Sequence, residues 1–231
     1  MSKSLLVTGG FGVLGRAVSA AAVARGWRTA LVDFSPEPPA GLAASLGDGA
    51  YLKGGVDLAD PAAARAVVED VAQRQGGLDV LVNVAGGFTW TTLADGGVEP
   101  WGELHRLNLT TALNASAAAI PLLTQSTAGR IINVGANAAV KAAAGMGPYA
   151  ASKAAIHRLT ETLSEELKDQ GVTVNAVLPS ILDTPTNRAD MPDADFTRWV
   201  TPDALAQVIL FLASDEASAV TGALLPVTGR V

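Results

Sequence analysis

Three observations place this chain in the α/β class, as one domain built on a doubly wound, parallel sheet. Short apolar runs that read as buried strands alternate with longer helical patterns along the chain. The first of those runs opens directly into a glycine-rich loop followed by a helix. A length of 231 residues with 49% hydrophobic content is enough to bury a full core and suits one large domain, residues 1–231, better than two small ones.

Leu5-Leu6-Val7 is the first strand, and Thr8 to Gly15 is the loop that leads into an alanine-rich helix ending near Gly26. Gly9, Gly12 and Gly15 allow a tight turn, a close approach of main chain to a pyrophosphate, and close seating of the helix on the sheet. The helix N-terminal N–H groups then face the anion. A second strand, Thr29 to Val32, ends in Asp33, near the twenty-residue offset at which a carboxylate meets an adenosine ribose. Asp33 either accepts hydrogen bonds from ribose hydroxyls and repels a 2′-phosphate, or begins the turn that contains Pro36, Pro38 and Pro39.

A third strand begins at Tyr51-Leu52-Lys53 and leads towards Asp57-Leu58, where Asp57 is either an adenine contact or a loop residue. Asp60-Pro61 reads as an N-cap with proline at the first helical position. That helix runs to Gly76 and Gly77, and Leu78 to Val82 is a buried strand running into Asn83-Val84-Ala85-Gly86-Gly87. The order so far implies parallel strands with right-handed crossovers and ligands at the carboxyl ends of the strands.

Trp101 to Ala119 is helical and carries Asn108 in its middle, where asparagine either points to solvent or serves a purpose. Arg130 to Val134 is a strand, Gly135 to Pro148 a loop, and the next helix is closed at Gly171. Val172 to Leu178 is a further strand, and Pro179 to Thr201 is proline-punctuated, lacks periodicity, and reads as an unstructured lid over about 180–201. Thr201-Pro202-Asp203 starts a helix through Ala213, and Leu224 to Val227 is a last short strand.

Composition removes several functions. A net charge of −6 offers nothing to nucleic-acid backbones or anionic membranes. The absence of cysteine excludes disulfides and thiolate chemistry, and two histidines do not make a metal site unaided. Met1-Ser2-Lys3-Ser4 lacks the longer apolar region of a signal peptide, and no apolar run reaches membrane-spanning length, so a cytoplasmic protein is expected.

The chemistry points to Tyr149 and Lys153. At four residues apart on a helix they share a face, about 5–6 Å apart at Cβ. A fixed ammonium beside a phenol lowers its pKa and makes it a better proton donor and acceptor near neutrality. Tyr149 is then the donor and Lys153 its tuner, although a half-buried tyrosine beside a solvated lysine has the same spacing.

Taken together in order, Thr8 to Gly15, Asp33, Asp57, Asn83 to Gly86, Asn108, Tyr149 with Lys153, and Asn175 to Pro179 followed by Thr184 resemble the short-chain dehydrogenase/reductase family over nearly the whole chain. The resemblance implies a seven-stranded Rossmann fold, a nicotinamide dinucleotide, and hydride transfer with a small-molecule substrate. It implies cofactor contacts from Gly9, Phe11, Gly12, Val13, Leu14 and Gly15, from Asp33, Asp57 and Leu58, and from Asn83, Ala85 and Gly86. Lys153 would also hold the nicotinamide ribose beside Tyr149, Asn108 would position a relay water through its helix, and Thr184 with the main chain at Pro179 and Ile181 would hold the carboxamide end. With Asp33 carboxylate at the ribose, NAD(H) is expected in preference to NADP(H). Family members are commonly homodimers or homotetramers.

Two departures stand out. Val13 occupies the place of the middle glycine of the commonest subgroup, and Ala136 occupies the place of the substrate-orienting serine. Loss of one donor to a developing oxyanion costs about 3–4 kcal/mol. The serine-less loop Gly135 to Ala139, with Gly145-Met146 and the stretch Leu182 to Phe196, resembles the dihydropteridine reductase branch, which reduces a quinonoid dihydropterin with NADH. Asn83, Asn108 and Val220-Thr221-Gly222 are nearer to the carbonyl-reducing subgroup, and a dinucleotide sensor without catalysis is a third reading. Asn137 is either a substitute donor or loop structure; Phe88, Trp90 and Trp199 are candidates to line a pocket for a flat ring. His157 is expected near the surface or an interface, and Arg188 in the lid meets either an anionic substrate or solvent.

Overall fold

The computed structural model describes residues 2–231 apart from the Asp48 side chain, so the part of the N-terminal reading that falls on Met1 lies outside the described residues. Seven parallel strands, β1 (Ser4–Thr8), β2 (Arg28–Val32), β3 (Ala50–Lys53), β4 (Val80–Asn83), β5 (Arg130–Val134), β6 (Thr173–Pro179) and β7 (Leu224–Val227), form one sheet in the order β3-β2-β1-β4-β5-β6-β7. Among the described residues nine α-helical segments accompany them: α1 (Val13–Ala24), α2 (Leu42–Leu46), α3 (Pro61–Gln75), α4 (Leu93–Gly96), α5 (Glu99–Leu104), α6 (Thr111–Leu123), α7 (Gly147–Leu167), α8 (Pro185–Asp190) and α9 (Pro202–Leu212).

Side chains alternate between the two faces of a strand, and both faces here are covered, which is why the strands read as unbroken apolar runs. Leu5, Val7, Val80, Val82 and Ile132 pack with Leu14 and Val18 of α1 and Leu205 and Ile209 of α9. Leu6, Leu81, Ile131 and Val174 face the other way, onto Val67 and Val71 of α3, Ala115 and Ala119 of α6, and Leu163 of α7. Asp60 caps α3 as its residue type predicts, its carboxylate accepting from the Ala62 N–H at 3.0 Å with Pro61 in the first turn. Among the described residues no helix is long and apolar enough to cross a membrane.

Three boundaries depart from the sequence reading. The third strand stops at Lys53, before Gly54 and Gly55, so Asp57 and Leu58 lie in the loop beyond it. The expected single helix over 101–119 is three segments, α5, a π-helical stretch His105–Thr110, and α6, with Asn108 inside the π stretch. The stretch expected to be an unstructured lid is folded: it holds α8 and a 3-10 turn Phe196–Arg198, and Leu182 pairs with Val200. Trp199 and Val200 are buried there, so anchors at 182–200 replaced the periodicity that a longer helix would have displayed.

Candidate active site

A cleft of ≈ 570 Å³ opens at the carboxyl ends of β1, β2 and β4, where strand order reverses. The glycine loop forms its floor. Gly9 has φ +62°, and a Cβ there would lie 2.8 Å from the Ala85 main chain; one on Gly15 would lie 2.3 Å from the Gly9 carbonyl oxygen. These glycines let main chain approach main chain, as the spacing predicted. Helix α1 begins after Gly12 with no side-chain cap, which leaves its first-turn N–H groups to an anion. Val13 is simply the first residue of that helix and lines the cleft beside Phe11 and Leu14.

Asp33 begins the turn, and its carboxylate is also on the cleft surface. Its carboxylate accepts from the Phe11 N–H at 2.9 Å and the Ser35 N–H at 3.0 Å, tying the glycine loop to the turn, and it lines the cleft. Each oxygen keeps a lone pair for a further donor. Asp57 and Leu58 line the cleft as well, but the Asp57 carboxylate is engaged by the Ala59 N–H at 2.9 Å and by the Arg106 guanidinium. Arg106, on the π stretch, also lines the cleft and was not legible as a site residue, since a charged residue in a helical pattern reads as a solvated face.

Asn83 is not on the cleft surface. Its side chain is buried, donating to Ser116 Oγ at 3.1 Å and Asn133 Oδ1 at 2.9 Å, and it pins β4 from below. The hinge between β1 and β4 is instead Thr8, whose hydroxyl accepts from the N–H groups of Val84 and Ala85 at 3.1 and 3.2 Å. Ala85 and Gly86 form the cleft wall.

Gly86 joins the cleft to the acid–base group. A Cβ on it would stand 2.4 Å from Asn108 Oδ1 and 3.3 Å from Lys153 Nζ, so these two side chains meet at that wall. Asn108 is buried and fully engaged: it accepts from the Gly87 N–H at 2.8 Å and donates to the Gly87 carbonyl at 3.1 Å and to Ser152 Oγ at 2.9 Å. Ser152 in turn donates to the Tyr149 carbonyl at 2.8 Å. The mid-helix asparagine therefore serves a purpose, and Ser152 is a member of the cluster that the sequence reading missed. Lys153 is buried and donates to the Val134 carbonyl at 2.8 Å.

The electrostatics correct one expectation. Burial pushes the Tyr149 phenol up to about 12, where a lowered value was expected, and pushes the Lys153 ammonium down to about 8. Desolvation disfavours the charged form of each group and outweighs the attraction expected between them. The phenol is thus held protonated at neutral pH, which suits a proton donor.

A profile of the short chain dehydrogenase family matches residues 3–195. The chain is similar to the 3-oxoacyl-[acyl-carrier-protein] reductase of Thermotoga maritima, 32% identical over 240 residues that cover 98% of this chain and 96% of that one. It is likewise similar to 2-(S)-hydroxypropyl-CoM dehydrogenase 3 of Xanthobacter autotrophicus, at 31% identity with 99% and 96% covered. The chain belongs to the short-chain dehydrogenases. Among solved structures, NAD+-bound xylitol dehydrogenase superposes with a TM-score of 0.89 at 25% identity over 98% of both chains. A short-chain dehydrogenase/reductase from Mycobacterium ulcerans gives 0.92 at 25% identity, over 100% of this chain and 90% of that one. The protein is accordingly an oxidoreductase of the kind that uses NAD(P), and the cleft fits such a group: close-packed glycines, an uncapped helix start and a carboxylate at the end of β2.

On the substrate side, this short-chain dehydrogenase places Ala136 in a buried, extended position, its N–H donating to His157 Nε2 across a long 3.5 Å. Asn137 is exposed and opens a 3-10 turn, Asn137–Ala139. Phe88 stands edge-on to the Tyr149 ring, with centroids 5.0 Å apart at 82°. Trp90 packs its indole on Gly145, while Trp101 rests on Gly147, so with Phe88 these exposed rings make an aromatic rim beside the start of α7. Trp199 does not join that rim as expected; it is buried against Phe196, with ring centroids 4.8 Å apart, and anchors the folded lid stretch. Thr184 caps α8 by accepting from the Asn187 N–H at 3.2 Å, and the Ile181 carbonyl accepts from the Val200 N–H. Pro179 closes β6, and these three residues, like Tyr149 and Lys153, lie outside the lining of the ≈ 570 Å³ cleft. Arg188 meets Asp183 and the face of Phe196. His157 lies buried, not at the surface as expected.

Proposed function

We propose that the protein is an NADH-dependent reductase of a small cyclic C=N or C=O compound, with a quinonoid dihydropterin as the narrowest form of that reading. The observation that carries it is the meeting of Asn108 and Lys153 at Gly86, one helical turn from Tyr149. The bound dinucleotide would supply a hydride. Tyr149, kept neutral by burial, gives its hydroxyl proton to the nitrogen or oxygen of the substrate. Lys153 holds ribose hydroxyls and stabilises the phenolate left behind, and Asn108 keeps the π stretch and the Gly87 main chain in place for proton resupply. Gly9, Phe11 to Gly15, Asp57, Leu58, Ala85 and Gly86 would hold the adenine and phosphate half, with Pro179, Ile181 and Thr184 at the carboxamide end.

Asp33 supports NADH over NADPH, since a 2′-phosphate would meet a carboxylate already fixed by two N–H donors. Ala136 supports an electron-poor substrate that needs no side-chain donor, and Phe88 and Trp90 support a flat one. Residues 180–201 would act as a lid through movement of α8 on its anchors at Val200 and Trp199. The relatives support a second reading, a ketone or alcohol dehydrogenase of the 3-oxoacyl reductase kind. Steady-state oxidation of NADH and NADPH with a quinonoid dihydropterin, a cyclic imine and an activated ketone decides the matter. Turnover of the first two with NADH is expected; faster turnover of the ketone supports the second reading, and dinucleotide binding without turnover overturns both.

A further inference from the structure

Helix α7 is stitched to the end of β5 at two successive turns. Lys153 donates to the Val134 carbonyl, and four residues on, His157 receives the Ala136 N–H. The imidazole is pressed against that main chain, because a Cβ on Gly135 would lie 2.7 Å from its Nε2 and 2.9 Å from its Cδ2. Nε2 accepts there, so the ring proton sits on Nδ1. We infer that His157 is a positioning residue that sets the height of the Gly135–Ala139 loop, and with it the distance of Ala136 from a substrate held at Tyr149. The inference deepens the reading above, because it assumes that substrate sits between Tyr149 and Ala136.

Protonation reverses the contact. A charged imidazole carries a donor on Nε2, which would face the Ala136 donor, and the loop loses its partner. Burial first, then Arg158 and Lys153, hold the ring neutral, and Glu161 works the other way; all three charged neighbours lie on α7. From just beyond β5 the ring faces the Ala136 N–H and Gly135, and the Leu178 side chain of β6 lies beside Gly135. His157 therefore titrates below its ordinary value of 6.5, and the loop is held above that point and released as pH falls through it.

The test uses the full-length protein, with His105→Asn as background so that one imidazole is observed. The nitrogen shifts of His157 and the amide proton of Ala136 are followed by NMR from pH 7.5 to 4.5, and kcat/KM is measured over the same range for wild type, His157→Gln and His157→Phe. Co-titration of ring and amide is expected, with an acid limb in wild type that His157→Gln abolishes, since its amide oxygen accepts without titrating. His157→Phe, which has no acceptor, is expected to lose about tenfold or more at every pH. Gly135→Ala, which crowds the same contact, is expected to reproduce that loss. An Ala136 amide that ignores the ring titration, or an acid limb that survives in His157→Gln, overturns the inference. Co-titration with no turnover of any substrate by wild type leaves the contact standing and refutes the function proposed for the site.

Discussion

The glycine-loop end of the crevice and its Tyr149 end differ in what they are made of. The first is mostly main chain: Gly9 against Ala85, Gly15 against the Gly9 carbonyl, and an uncapped α1. The second is mostly side chains, contributed by four separate places: Asn108 from the π stretch, Tyr149, Ser152 and Lys153 from α7, the Val134 carbonyl from β5, and Phe88 from the loop after β4. Main chain can bind a phosphate with no particular side chain, so within the glycine loop the constraint falls where a Cβ does not fit. The Tyr149 end depends on individual functional groups held in a buried network, where removal of one partner leaves another unsatisfied.

The sharpest way to separate the two ends is Tyr149→Phe. Loss of the proton donor is expected to reduce kcat by about 10²–10⁴-fold, while NADH binding followed by fluorescence stays within a few-fold of wild type. Gly15→Ala should do the reverse. Its methyl would be forced against the Gly9 carbonyl oxygen, which raises KM for NADH by an order of magnitude or more and costs about 1–3 kcal/mol in a denaturant titration.

Lys153→Met asks what the catalytic end costs the fold. The ammonium titrates near 8 in the folded chain and at its ordinary 10.5 in the unfolded one, so the unfolded chain binds the extra proton between those values. Stability therefore rises with pH from about 8 to 10.5, and below 8 the full penalty, about 3 kcal/mol, is present. Lys153→Met removes it and leaves the Val134 carbonyl unpaired at a cost of about 1 kcal/mol. The variant is expected to be inactive yet about 2 kcal/mol more stable at pH 7, with the rise above pH 8 abolished. Tyr149 carries the opposite sign: with its folded value near 12 against 10.0 unfolded, its contribution falls away as pH rises between them.

The smallest effect is expected at Arg106, which bridges the two ends by binding Asp57 from the stretch that carries Asn108. Both partners are partly exposed, so Arg106→Ala should cost no more than about 1 kcal/mol, read as a few-fold rise in KM for NADH. A large loss of kcat instead would mean that the pair holds the π stretch in register.

The two ends also differed in how far the sequence reached them. Glycine spacing, Asp33 and the β–α alternation are local signals, because the conformation of a glycine turn and the position of a carboxylate at a strand end depend on neighbouring residues in the chain. Tyr149 and Lys153 were legible for the same reason, one helical turn apart. Ser152, Thr8, Arg106 and His157 were not, since each acquires its role from a partner 21 or more residues distant, and no residue type announces such a partner. Trp199 was misplaced because an aromatic residue in a non-periodic stretch reads the same whether it faces a pocket or pins a loop.

By itself the sequence determined the α/β architecture, the parallel strands implied by its alternation, the family, and the one-turn spacing of Tyr149 and Lys153 on which the proposed proton transfer rests. Only the tertiary structure decided the protonation of that pair, because desolvation depends on how much protein surrounds a group and not on which residue precedes it. It also decided that the Ala136 N–H is turned to an imidazole from another element, a contact created when α7 packs on β5.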